Sequence, residues 1–158
     1  MQIVVGLGSS LGDRLGTIRL AVARLSRTPG VCVLRRSRAW ENPPAGGVAR
    51  RPFVNAAVLV SWEGDAPSLL ARTQAIEEAL GRRAGHARWA DRAIDLDLLA
   101  ADAYVDDPAL RLPHPRLLER PFALVPAAEV APEWIVDGRS IRDRAASLPN
   151  GLVALAVL

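Results

Sequence analysis

The chain has no lysine. All twenty basic residues among its 158 are arginine, set against 17 acidic ones for a formal charge of +3. A Walker-A phosphate loop requires a lysine, so that route to a nucleoside triphosphate is closed. The sequence pI of about 10.3 reflects arginine, which does not titrate in any ordinary range, and is no sign of nucleic-acid binding. Dense local arginines on a modest net charge point instead to a small anionic ligand. A single cysteine, Cys32, excludes a disulfide framework and a thiolate zinc site within one chain. In the run Val31-Cys32-Val33-Leu34 it reads as a small buried hydrophobe. Four Trp, one Tyr and two Phe are too few for an RNA-binding sheet faced with stacking aromatics. The two histidines, His86 and His114, make no zinc pattern with the lone cysteine. Gly6-Leu7-Gly8-Ser9-Ser10-Leu11-Gly12 has the wrong glycine spacing for a dinucleotide fingerprint, and no Ser or Cys nucleophile motif occurs. No apolar run reaches membrane-spanning length, so no membrane partner is expected. Met1 leads directly into Ile3-Val4-Val5 without a basic n-region or cleavage site, and a cytoplasmic protein is expected.

What is present suits one folded domain over residues 1–158, half hydrophobic and 23% charged. Residues 2–8 read as a strand and Gly8 to Gly12 as a turn. A helix follows from Asp13, with the stripe Leu15, Ile18, Val22 and Leu25, and Thr28-Pro29-Gly30 ends it. Residues 31–39 read as a second strand, and Glu41 to Pro52 as a long, proline- and glycine-rich functional loop. Residues 53–62 alternate as a third strand. Pro67 opens a second helix with the stripe Leu69, Thr73, Ile76 and Leu80, and Gly81 is its cap. Residues 82–92 form a second polar loop. The order βαββαβ predicts an α+β fold with a ferredoxin-like core, helices on one face of an antiparallel sheet and the other face open to a ligand. In the C-terminal extension Pro113-His114-Pro115-Arg116 reads as a turn, and a short helix holds Phe122 and Leu124. Pro126 and Pro132 break the next stretch, Trp134-Ile135-Val136 is a short strand, and Ile141 to Leu148 is a last helix.

The chemistry concentrates in Arg88-Trp89-Ala90-Asp91-Arg92-Ala93-Ile94-Asp95-Leu96-Asp97-Leu98-Leu99. Ile94, Leu96 and Leu98 alternate with Asp95 and Asp97, so one strand face is apolar and the other carries two carboxylates. Side-by-side carboxylates are costly unless positive charge sits beside them, and arginines lead into the strand. This pairing suits a site for Mg²⁺ and a polyphosphate. On the third strand Phe53 and Asn55 share a face. An amide can read the edge of a heterocycle and a ring can stack on it, if that strand joins the aspartate strand in one surface. Gln74 and Glu77 lie three apart on the second helix and fit a solvated face equally well.

The chain resembles the 6-hydroxymethyl-7,8-dihydropterin pyrophosphokinase family of folate biosynthesis. The resemblance rests on a set of blocks in order: Leu7-Gly8-Ser9-Ser10-Leu11-Gly12-Asp13-Arg14, Pro52-Phe53-Val54-Asn55-Ala56-Ala57-Val58, Ile76-Glu77 with Leu80-Gly81-Arg82, and Arg88-Trp89 with Arg92 to Leu99. Pro113-His114-Pro115-Arg116, Glu119-Arg120-Pro121-Phe122 and Glu129-Val130-Ala131-Pro132 complete it. The resemblance implies transfer of pyrophosphate from ATP to the pterin hydroxymethyl oxygen, releasing AMP. It implies that Asp95 and Asp97 hold two Mg²⁺ ions, and that Arg82 and Arg92 act on the phosphates as catalytic partners of the aspartates. ATP would be met by Gln74, Glu77, Arg82, Arg88, Trp89, Arg92, His114, Arg116 and Arg120. The pterin would be met by Asn42, Pro43, Pro44, Ala45, Phe53, Asn55, Trp89, Asp95 and Phe122. A monomer acting on small molecules, without nucleic acid, is expected. Ala90-Asp91 stands where the family commonly has Gly-Pro, Ser10 where it has Asn, and Ala84 where a further basic residue is common. The rivals are another two-metal enzyme on this fold, a nucleotidyl transferase or nuclease, and an RNA-binding module. Pterin dependence separates them.

Overall fold

The fold was taken from a computed structural model, which describes residues 1–42, 51–81 and 93–158. Its main sheet has six antiparallel strands: β1 (Gln2–Ser9), β2 (Val31–Arg36), β3 (Arg38–Asn42), β4 (Phe53–Trp62), β5 (Asp95–Ala101) and a strand near the C-terminus, Val153–Val157. β1 sits between β4 and β5, while β2 and β3 both pair with β4, one on each half of it. The expected single strand over 31–39 is thus broken in two. Ser37 makes the break: its N–H donates to Ala57 O and its Oγ accepts from Ala57 N, at 2.9 and 2.8 Å. Beyond it β3 runs on through Asn42, so Glu41 and Asn42 are strand residues rather than loop.

Two helices lie on one face. α1 (Arg14–Ser26) starts at Asp13, whose carboxylate accepts from Gly16 N, and α2 (Ala66–Ala79) starts at Asp65, which caps Ser68 N in the same way. Ile18, Val22 and Leu25 of α1 and Leu69 and Ile76 of α2 bury themselves against Ile3, Val5, Leu7, Val54, Ala56, Val58, Val60, Leu96 and Leu98. These sheet residues are alternate positions on their strands, as a period of two requires.

The opposite face is not left open along its whole length, contrary to the expectation from the helix order. The C-terminal part covers one end of it with α3 (Pro121–Val130) and α4 (Ile141–Ser147). A second core forms there from Val4, Ala57, Leu59 and Leu99 of the sheet with Leu124, Ala127, Val130 and Ile141. α3 is anchored by Glu129, which accepts from Arg38 N at 2.7 Å and pairs with its guanidinium at 2.7–2.8 Å. Pro126 lies inside α3, buried, and does not break it; packing on the sheet outweighs the missing N–H.

Three smaller elements complete the chain. β6 (Val105–Asp107) and β7 (Leu110–Leu112) form a hairpin, and β8 (Ile135–Val136) pairs with β9 (Arg139–Ser140). The second hairpin turns at Asp137 and Gly138, both at positive φ, the conformation that a tight two-residue turn demands. β10 (Val153–Val157) pairs with β3 at the sheet edge and carries an irregularity between Ala154 and Ala156. Cys32 is exposed rather than buried, because β2 is an edge strand and only its Val31 and Val33 side meets the α1 core. No helix among the described residues is long and apolar enough to cross a membrane.

Candidate active site

The end of the second sheet face that α3 and α4 do not cover holds the polar residues that the strand periodicity singles out. β4 does not neighbour β5, yet its Asn55 and the aspartates still share a surface, because β1 between them presents glycines. In register, Asn55 lies opposite Gly8, and Gly8 lies opposite Asp95. One row further in, Ala57, Gly6 and Asp97 line up in the same way. A Cβ on Gly8 would stand 3.1 Å from Asn55 Oδ1, and one on Gly6 would stand 2.9 Å from Leu99 Cδ1. Gly8 therefore keeps a shallow trough open between the amide and the carboxylate, roughly 10 Å from Asn55 to Asp95 across two strand spacings. Gly6 lets Leu99 fold over the inner row.

The row extends in the other direction too. Trp40 of β3 is opposite Asn55, and Asn42 is opposite Phe53. Asn55 is 7% and Asn42 8% exposed, and the Asn55 amide Nδ2 donates to Asn42 Oδ1. Pinning one amide to another fixes the orientation of Asn55 and turns its Oδ1 towards the Gly8 side of the trough. Phe53 is half-buried beside them.

Asp95 and Asp97 are two apart on β5, so their carboxylates leave the same face about 6–7 Å apart along the strand. Asp95 is half-buried and Asp97 exposed. The donor set is two hard carboxylates with no third His, Cys, Asp or Glu grouped with them among the described residues. That fits a divalent cation whose remaining positions are filled by phosphate oxygens and water, not an all-protein cage. Ser9 is fully buried and its Oγ donates to Ala93 O at 2.6 Å. It fixes the chain two residues before Asp95.

Glu77 takes an unexpected position. Helical spacing alone fits a solvated face as well as a site contact; the structure puts its side chain inward, 2% exposed, with Oε1 accepting from Leu96 N at 2.6 Å. Gln74, one turn earlier, is exposed.

The other candidates come from the stretch after β7. His114 N donates to Leu99 O at 2.7 Å, which ties this turn to β5, and His114 Nδ1 accepts from Arg116 N at 3.0 Å. Burial, and then the nearby positive charge of Arg120 and Arg116, holds the His114 pKa below the usual histidine value of 6.5. The ring is thereby kept neutral, with Nε2–H as a donor. Arg116 pairs with Glu119 at 3.5 Å. Arg120 precedes α3 and stacks on Phe122, its guanidinium carbon 5.9 Å from the ring centre. Phe122 is the second residue of α3, the helix that packs on the trough side of the sheet. Pro43, Pro44, Ala45, Arg82, Arg88, Trp89 and Arg92 lie outside the described residues.

Comparison with known sequences decides the family. The profile of the 7,8-dihydro-6-hydroxymethylpterin-pyrophosphokinase family (HPPK) matches residues 4–132. The chain belongs to the HPPK family. It is 42% identical over 150 residues to the 2-amino-4-hydroxy-6-hydroxymethyldihydropteridine pyrophosphokinase of Methylorubrum extorquens, covering 94% of each chain. It is 38% identical over 138 residues to the protein of that name from Synechocystis, covering 87% of this chain and 69% of that one. Among solved structures, Plasmodium falciparum HPPK-DHPS aligns over 92% of this chain with a TM-score of 0.69 and 15% identity. This chain spans 44% of that longer one, and at such identity the likeness concerns the fold alone. The Gly8 trough between Asn55 and Asp95 is the part of the candidate site that sequence patterns missed. Gly8 reads as the start of a turn until the pairing of β1 with both β4 and β5 is known.

Proposed function

We propose that the trough is where this chain carries out the HPPK reaction, transfer of a pyrophosphoryl group from ATP to the hydroxymethyl oxygen of 6-hydroxymethyl-7,8-dihydropterin. The observation that carries the proposal is the register row Asn55–Gly8–Asp95. It sets an oriented amide and a carboxylate on one flat floor, with the length of a bicyclic ring and its substituent between them. The pterin lies over Gly8 with its polar edge at Asn55, its ring against Phe53 and Phe122, and its hydroxymethyl group at Asp95. Asn42 holds Asn55 in place, and Pro43, Pro44, Ala45 and Trp89 are the remaining residues assigned to the pterin.

Two Mg²⁺ ions held by Asp95 and Asp97 would neutralise the triphosphate and acidify the substrate hydroxyl. Everything else falls to the chain's own residues. The hydroxymethyl oxygen gives up its proton to solvent and attacks the β-phosphorus, the bond from that phosphorus to the oxygen bridging it to the α-phosphorus breaks, and AMP leaves with that oxygen. His114, neutral, offers Nε2–H to a phosphate oxygen, and Arg116 and Arg120 add fixed positive charge. Gln74, Arg82, Arg88 and Arg92 complete the nucleotide's surroundings, Arg82 and Arg92 acting as charge builds on the transferred group.

The strand order β5-β1-β4 followed by β2 and β3, all antiparallel with α1 and α2 as the two crossovers, supports a ferredoxin-like plan for the core. On that plan the site sits at one end of the open sheet face, on rigid strands.

ATP labelled at the β-phosphorus tests the reading. With Mg²⁺ and the pterin, the label is expected in a pterin diphosphate and not in ADP or in AMP. Label remaining with adenosine would contradict it, as would nucleic-acid cleavage without need of the pterin.

A further inference from the structure

Among the described residues β5 is the outermost strand on its side of the sheet, and its outward backbone groups meet no further described strand there. Two of them are met by other means. Leu99 O accepts from His114 N, and Leu96 N donates to the carboxylate of Glu77 at 2.6 Å. Leu96 is the residue between Asp95 and Asp97. Glu77 is 2% exposed on the inward side of α2, among Ala66, Leu69, Thr73 and Ile76. A carboxylate costs more to bury than any neutral side chain of its size, so packing alone does not select it there. A short, charge-assisted bond to a backbone N–H is one interaction that offsets this cost. On the other side of Asp95, the Ser9 hydroxyl grips Ala93 O.

We propose that Glu77 is a positioning residue: its buried carboxylate fixes the β5 backbone at Leu96 and, with Ser9, sets the direction and separation of the Asp95 and Asp97 carboxylates. The inference rests on the proposed function for what the aspartates hold. It gives Glu77 no contact with the nucleotide.

The full-length chain with Glu77→Leu, Glu77→Gln or Ser9→Ala tests this through three readouts. These are amide hydrogen exchange at Leu96 without ligand, the Mg²⁺ dependence of AMP formation, and binding of an ATP analogue in excess chelator. Glu77→Leu is expected to speed exchange at Leu96 on the order of 100-fold while the Val58 amide is unchanged. It should also raise the Mg²⁺ requirement and lower turnover about 10–100-fold, as loss of an outer-shell partner does. Metal-free analogue binding should not change. Glu77→Gln keeps an acceptor at the same place and should restore Leu96 protection and most turnover. Ser9→Ala should raise the Mg²⁺ requirement less than Glu77→Leu does. This variant and Glu77→Gln carry the test if Glu77→Leu does not fold.

Unchanged exchange at Leu96 would overturn the proposal. So would metal-free analogue binding that weakens as much as turnover falls, since that is the mark of a direct nucleotide contact. If the wild type forms no AMP from the pterin, the functional reading fails while the exchange readout still judges the grip of Glu77 on β5.

Discussion

The two faces of the central sheet have nearly the same strands and opposite chemistry. On the α1–α2 side, Val54, Ala56, Val58 and Val60 of β4 and Leu96 and Leu98 of β5 are all buried and apolar. On the other side the same strands present Phe53, Asn55, Ala57 and Leu59, then Asp95, Asp97 and Leu99. That second face is itself divided. Its inner end, at Ala57, Leu59 and Leu99, lies beneath α3 and α4, and its outer end is polar with glycine between. One face stabilises; the other gives half its length to stability and half to the proposed site. Asp95 and Asp97 can thus sit on a rigid strand without entering either core. Substitutions on the two sides should fail in different ways.

The largest effect is expected from Asp97→Ala on the polar end. Losing a carboxylate proposed to hold metal should lower turnover about a thousandfold at saturating Mg²⁺, since such charge stabilisation is worth several kcal/mol. The side chain is exposed, so the melting temperature should barely move. Steady-state AMP formation and a thermal melt, run together, check both halves. Ile18→Ala does the converse. Ile18 is fully buried in the α1 core, and its truncation should cost about 2–5 kcal/mol of stability with turnover per folded molecule intact. Denaturant titration reads it.

Gly8→Val tests the boundary between the regions. The added carbons would crowd Asn55 Oδ1, and pterin affinity should fall about 10–100-fold by overfilling, worth about 1–3 kcal/mol. Metal-free binding of an ATP analogue should be much less affected, as titration calorimetry would show.

The smallest effect concerns pH. The depressed His114 pKa means that the unfolded chain binds a proton there more readily than the folded one. Stability from this group is therefore full above the unfolded value of 6.5 and declines as pH falls from there towards the folded value. His114→Asn keeps an acceptor for Arg116 N and removes the titration, so its stability should fall less between neutral and mildly acid pH. Equal acid sensitivity in both proteins would remove this role.

The elements that local pattern specifies were readable from the sequence. β4 runs over residues 53–62 as its alternation predicts, and α1 follows from Asp13 and its apolar stripe. Asn55 stood out because an amide in an apolar strand needs a reason, and Asp95 and Asp97 because adjacent carboxylates do. What depends on distant pairing was not readable. Gly8 joins Asn55 to Asp95 only because β1 lies between β4 and β5. One partner of Glu77 is a backbone N–H nineteen residues on, which helical spacing cannot reveal. Cys32 is exposed because β2 is an edge strand, and an apolar run cannot state its place in a sheet. β10 pairs with β3 more than a hundred residues away, and Pro126 is tolerated only because α3 has a sheet to pack on.

The most direct test of a divided sheet face is to see where the pterin lands. Backbone amide resonances can be followed while 6-hydroxymethyl-7,8-dihydropterin is added to the chain holding Mg²⁺ and a non-hydrolysable ATP analogue. The account predicts the largest shifts at Gly8, Phe53, Asn55, Asp95 and Asp97, with Ile18, Val22 and Leu69 unmoved. Shifts centred on the α1–α2 face or along β10, with Gly8 and Asn55 silent, would contradict it.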